Sequence, residues 1–162
     1  MTPIEYFNLN SRGKHWSKNE NTYKRWFRKQ LKHLLVEIED ESTERELASF
    51  MWRLGLGYWG IGRQYGLVSG IKTKDSLTNS YTNDHVFGTV EMGKYIHQEF
   101  KRNNFDIDYM VNQWLYDNLW LWMTIKVSKK EHKKDNIQRN SHSLDEKKDL
   151  KHYKNVSELI FS

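Results

Sequence analysis

Residues 120–127 read WLWMTIKV, and Ser128-Lys129-Lys130-Glu131 follows with no turn between them. The first stretch is dense in aromatic and β-branched side chains, which suit a strand. Ser-x-x-Glu is the spacing of a capping box: the hydroxyl accepts from the N–H three residues on, and the carboxylate accepts from the N–H of the capping residue. A strand over 120–127 is therefore expected to pass straight into a helix that starts at Ser128 and runs to about Gln138. Ser80 to Phe87, with β-branched Thr82 and Val86, reads as an earlier strand. In a β-β-α unit of this kind, a side chain near the end of the first strand lies within reach of the helix's first turns. Asp84 and His85 stand at that strand end, and His132 stands in those turns.

Upstream, Tyr23, Trp26, Phe27, Leu31, Leu34, Leu35 and Ile38 recur in steps of three and four, so 22–38 reads as an amphipathic helix. A second helix is expected from Thr43, where Thr43 and Glu46 repeat the capping-box spacing, with Leu47, Phe50, Met51 and Leu54 as its apolar stripe and Gly55 just beyond its end. Residues 55–70 hold six of the nine glycines. They lack the Lys-Ser/Thr ending of a phosphate-binding P-loop and read as a tight, aromatic-bearing connection. Two short helices are expected over 92–103 and 106–116, the second capped by Asp106. Beyond Ser141 the chain is polar and reads as a tail in which VSELIF, 156–161, is able to dock.

The chain of 162 residues suits one compact domain and has no cysteine, which excludes disulfides, thiolate metal sites and cysteine nucleophiles. No window is long and apolar enough to span a membrane, and the N-terminus has no signal-peptide core, so a cytoplasmic protein is expected. Lys and Arg number 26 against 21 Asp and Glu, a net charge of +5. The excess is concentrated in 14–33 and 126–142, while 37–46 is acidic. Basic blocks are usually solvated helix faces, and they also suit a polyanionic partner. Trp16, Trp26 and Phe27 lie among the basic residues, where base stacking is an alternative to core packing.

The ordered set of TNDHVFG and then DNLWLWMTIKVSKKEHKKDN resembles the HNH nucleases, also called His-Me finger or ββα-metal nucleases, and is most similar to the free-standing and intron-encoded homing endonucleases of phages. The resemblance covers roughly 78–140. The Asp-His pair is Asp84-His85, the Asn-Leu step is Asn118-Leu119, and the helix start is Ser128 to His132. There are departures. About 30 residues separate His85 from Asn118, enough for two inserted helices, and the zinc-stapling cysteines of some branches are missing. His132 stands where many members have Asn, and Asn136, one turn on, competes for that role.

The resemblance implies an α+β fold, mainly helical, with a ββα-metal core made of a two-stranded, hairpin-like pair and a capped helix. It divides the chain into a basic helical region (1–79), the core (80–140, with a helical insert at about 89–117) and a charged tail (141–162). It implies metal-dependent cleavage of double-stranded DNA, site-specific in the homing manner. Asp84 and His132 (or Asn136) would hold one divalent ion, Mg²⁺ first and Mn²⁺ as a substitute. His85 would be the general base, and Asn118 would orient the loop that carries it. Lys129, Lys130, Lys133 and Lys134 would meet DNA phosphates, with Arg25 and Arg28 of the basic helix as further contacts. A homodimer is compatible with the family. The other readings are a basic DNA- or RNA-binding protein without catalysis, and a junction-resolving nuclease of the same fold.

Overall fold

Four strands draw together segments from the middle of the chain and its C-terminal end. In the computed structural model, residues 2–9, 13–53, 67–132, 143–148, 150 and 159–161 are described. The elements in chain order are α1 (Pro3–Phe7), α2 (Gly13–Glu39), α3 (Glu44–Arg53), β1 (Leu67–Thr73), β2 (Tyr81–His85) and α4 (Thr89–Arg102). A helical run over 107–117 follows, which we call α5; its middle, Met110–Trp114, is wound as a π turn. After it come β3 (Met123–Ser128), the opening turn of α6 at 129–132, α7 (Leu144–Lys148) and β4 (Leu159–Phe161). The sheet order is β2-β3-β1-β4. β2 runs antiparallel to β3, β3 parallel to β1, and β1 antiparallel to β4. The fold is therefore α+β with a small mixed sheet.

Sequence patterning accounts for most of these elements. The apolar stripe of α2 is real, with Phe27, Leu31 and Leu34 buried and Tyr23, Trp26, Leu35 and Ile38 packed against the core. The helix itself begins at Gly13, earlier than the apolar periodicity suggested. At α3 the Thr43 Oγ1 accepts from the Glu46 N–H (3.2 Å), and the Glu46 carboxylate accepts from the Thr43 N–H (3.2 Å). Asp106 caps α5 by accepting from the Tyr109 N–H at 3.0 Å. Of 156–161, read from sequence as able to dock, the described part does so: Phe161, Ile160 and Leu159 pair with Ile71, Lys72 and Thr73.

Two expectations need correction. The strand expected over 120–127 is Met123–Ser128, because Leu119–Trp122 turns as a 3₁₀ helix. Its bulky side chains are core anchors: Trp120 meets Phe87 and Tyr95 at ring distances of 5.1 and 5.7 Å, and Trp122 meets Phe27 at 6.2 Å. The connection expected through residue 70 gives way to β1 from Leu67. That strand escapes a propensity reading because Ser69, Gly70 and Lys72 dilute it. Gly70 adopts a φ of 82°, in the region open to glycine, where the pairing with β3 shifts register. Residues 54–66, which carry most of the glycine-rich stretch, lie outside the described set.

Phe27 is fully buried, stacked at 6.0 Å on Trp114, so it has no face for a nucleobase. Trp16 packs against Tyr116 at 5.3 Å. The aromatic content near the basic helix thus serves packing, with α2 and α5 sharing one aromatic core.

Candidate functional site

The antiparallel pairing sets the site. Tyr81 lies opposite Ser128, Asp84 opposite Ile125 and His85 opposite Thr124. β3 therefore ends beside the start of β2, and α6 begins there, tied down by the Lys129 N–H donating to the Ser80 carbonyl at 2.9 Å. The predicted capping box forms. The Ser128 Oγ accepts from the Glu131 N–H at 3.2 Å, and the Glu131 carboxylate accepts from the Ser128 N–H at 2.9 Å.

The first turn of α6 then reaches both flanking strands. Glu131, only 6% exposed, accepts from the Thr73 hydroxyl on β1 at 2.5 Å. His132 turns the other way, and its Nδ1 stands 3.1 Å from the Asp84 Oδ1 on β2. Successive helical residues are about 100° apart, so one turn grips both neighbours of β3. Thr73 is in turn built into its own bend, where it accepts from the Ser76 N–H (3.3 Å) and its carbonyl accepts from the Ser76 hydroxyl (2.7 Å).

Asp84 is 1% exposed while the His132 side chain is 36% exposed. A carboxylate that deep is costly without partners. An oxygen and a nitrogen facing each other are donor types that a divalent cation takes, although the Nδ1 that faces Asp84 is buried while other atoms of the His132 ring meet solvent. Adjacent ligands of an octahedral ion at about 2.1 Å stand about 3.0 Å apart, close to the spacing seen here. The donor set suits Mn²⁺ as well as Mg²⁺, since imidazole is the softer ligand. Among the described residues, no group of three or more His, Asp and Glu is gathered to hold a metal. The two-residue set would be completed by water, as is usual for Mg²⁺.

His85 is the next residue on β2, half-buried, and the alternation of a strand gives it the opposite face from Asp84. It closes the ladder of β2, so both side chains stand at the strand's end, their Cα atoms about 3.8 Å apart. Asn118 caps α5: its Nδ2 donates to the Trp114 carbonyl at 2.8 Å, and its carbonyl accepts from the Leu121 N–H at 3.1 Å. This is the turn role open to any Asn before a strand. Lys129 and Lys130 are exposed at the start of α6. Arg25 is exposed on α2, whereas Arg28 is bound to Asp108 at 2.6 Å and ties α2 to α5. Lys133, Lys134 and Asn136 lie outside the described residues.

Sequence patterning did not anticipate the Thr73–Glu131 bond. Glu131 reads as a cap from its spacing, but its second partner depends on β1, which the sequence conceals. Among the described residues no helix is long and apolar enough to cross a membrane. Comparison with protein-family models, with curated proteins and with solved structures returns no match.

Proposed function

We propose that the chain is a metal-dependent DNA endonuclease of the ββα-metal kind, with β2, β3 and α6 as its catalytic unit. The observation that carries this reading is the approach of His132 to the buried Asp84 at 3.1 Å, across an antiparallel strand pair that feeds a capped helix. The two residues are 48 positions apart in the chain (132 − 84) and belong to the ordered set of motifs on which the resemblance rests.

Asp84 and His132 would hold one divalent ion, Mg²⁺ or Mn²⁺. When bound, that ion supplies positive charge to the scissile phosphate and to the leaving oxygen. Burial keeps Asp84 fixed, so its carboxylate needs little reorganisation on binding. Glu131, which precedes His132, is held from two sides and fixes the first turn of α6, from which His132 projects. His85 leaves β2 on the face opposite Asp84, so as general base it would take the proton from the attacking water around the end of the strand, where the ladder of β2 stops. The exposed Lys129 and Lys130 would meet phosphates beside the cut.

The test is nicking of supercoiled plasmid in Mg²⁺ or Mn²⁺, with EDTA as control. His85→Ala should lose nicking by at least about a hundredfold, the scale of general-base catalysis, while retaining duplex binding. Wild-type protein that binds DNA and shows no metal-dependent nicking of linear duplex, branched duplex or RNA would reject the enzyme reading and leave a basic binding protein. Preference for branched duplex would point to a junction-resolving nuclease.

A further inference from the structure

We propose that the face of the sheet opposite Asp84 is a backbone-binding track for duplex DNA, built on Lys72 and Lys126 and clipped by Tyr81. It rests on the nuclease reading for the choice of DNA, while its location comes from strand register alone.

On β2, Tyr81, Asn83 and His85 share one face by alternation, and Asp84 faces the other way. Lys126 on β3 is the register partner of Asn83, and Lys72 on β1 is the register partner of Lys126. The two lysines therefore stand side by side on adjacent strands, about 4.8 Å apart at the backbone. Among the described residues neither has a carboxylate partner. Asp75, on the turn after β1, accepts instead from the Asn79 amide at 2.8 Å. Like charges set directly across neighbouring strands work against the sheet, and a polyanion removes that penalty.

A second observation marks the same face. Tyr81 is 54% exposed, and the Lys126 ammonium lies 3.7 Å from its ring centroid. The ring holds the long lysine stem in one place, which lowers the entropy lost when the ammonium meets a phosphate. The row runs toward His85, whose register partner Thr124 is buried, so the open part of this face is Tyr81, Lys126 and Lys72, on the other side of the sheet from Asp84 and His132. Lys129, exposed just past Ser128, stands at the other end of the row, next to Tyr81.

The experiment is fluorescence anisotropy on a labelled mixed-sequence duplex, with metal omitted, over about 50 to 200 mM salt. The proteins are the wild type, Lys72→Gln/Lys126→Gln, and the control Lys94→Gln/Lys101→Gln on exposed positions of α4. Two lost phosphate contacts should make the slope of log affinity against log salt shallower by about 1.8, roughly a tenfold smaller loss of affinity across that range. The control should keep the wild-type slope. Equal slopes in all three proteins, or an equal change in both double variants, would overturn the track. So would tighter binding of single-stranded RNA of the same sequence than of the duplex. Loss of slope in a protein whose wild type never nicks DNA would uphold the track and reject only the catalytic reading.

Discussion

Replacing Glu131 by Ala tests the clamp that holds α6 to the sheet. The carboxylate is buried and accepts from the Ser128 N–H at 2.9 Å and the Thr73 hydroxyl at 2.5 Å. Losing its half of the capping box costs about 1 kcal/mol. Leaving the buried Thr73 hydroxyl without its acceptor adds about 1–3 kcal/mol. We expect about 3 kcal/mol in all, or a fall in Tm of roughly 6–12 °C for a chain of this size. Glu131→Gln keeps an acceptor oxygen and should cost about 1 kcal/mol, and Thr73→Val about the same. Urea unfolding followed by tryptophan fluorescence reads these values, and the double variant Thr73→Val/Glu131→Gln gives the coupling. We expect a coupling of at least about 0.5 kcal/mol, as for residues in one hydrogen-bond network. Glu131→Ala within about 0.5 kcal/mol of wild type, the range of an ordinary surface substitution, would refute the clamp.

Two further outcomes follow from buried charge. Lys147 of α7 is 2% exposed and bound to Glu91 of α4 at 2.6 Å, so Glu91→Gln should destabilise by roughly 2 kcal/mol, less than a fully buried pair because Glu91 is partly solvated; an unchanged urea midpoint would show that the pair carries no stability. Burial holds the His97 imidazolium below its usual range, with Glu44 opposing and Lys101 adding to the effect. The unfolded state then binds the proton more readily, so the contribution of His97 is present above pH about 6.5 and is lost as pH falls below it. His97→Gln should flatten that part of the stability–pH curve, measured as urea midpoints between about pH 5 and 7.5; an unchanged curve would assign the acid sensitivity elsewhere.

Local signals in this sequence were easy to read, and pairings across long separations were not. The hydroxyl–carboxylate spacings at Thr43 and Ser128 form as capping boxes, because a cap is decided within four residues. The stripes of α2 and α4 survive because a 3.6-residue period is set by one buried face. The strand LVSGIKT is hidden because its inward positions are Ser69, Ile71 and Thr73, two of them hydroxyls whose hydrogen bonds exist only once β3 and α6 are in place. Strand order and the direct entry into α6 suggest that Asp84, His85 and His132 converge; Asp84 and His132 do approach, whereas His85 leaves β2 on the other face, because consecutive strand residues alternate. The neighbouring positions of Lys72 and Lys126 could not be foreseen, because they depend on a parallel pairing between segments about 50 residues apart.

Mn²⁺ binding decides whether Asp84 and His132 together hold one divalent ion. Electron paramagnetic resonance titration of the wild type with Mn²⁺ should show one bound ion per chain, displaced by excess Mg²⁺. Asp84→Asn and His132→Ala should each weaken that binding by at least about tenfold, as loss of one of two protein ligands requires, with the fold intact by circular dichroism. Wild-type affinity in both variants would place any bound metal away from Asp84 and His132.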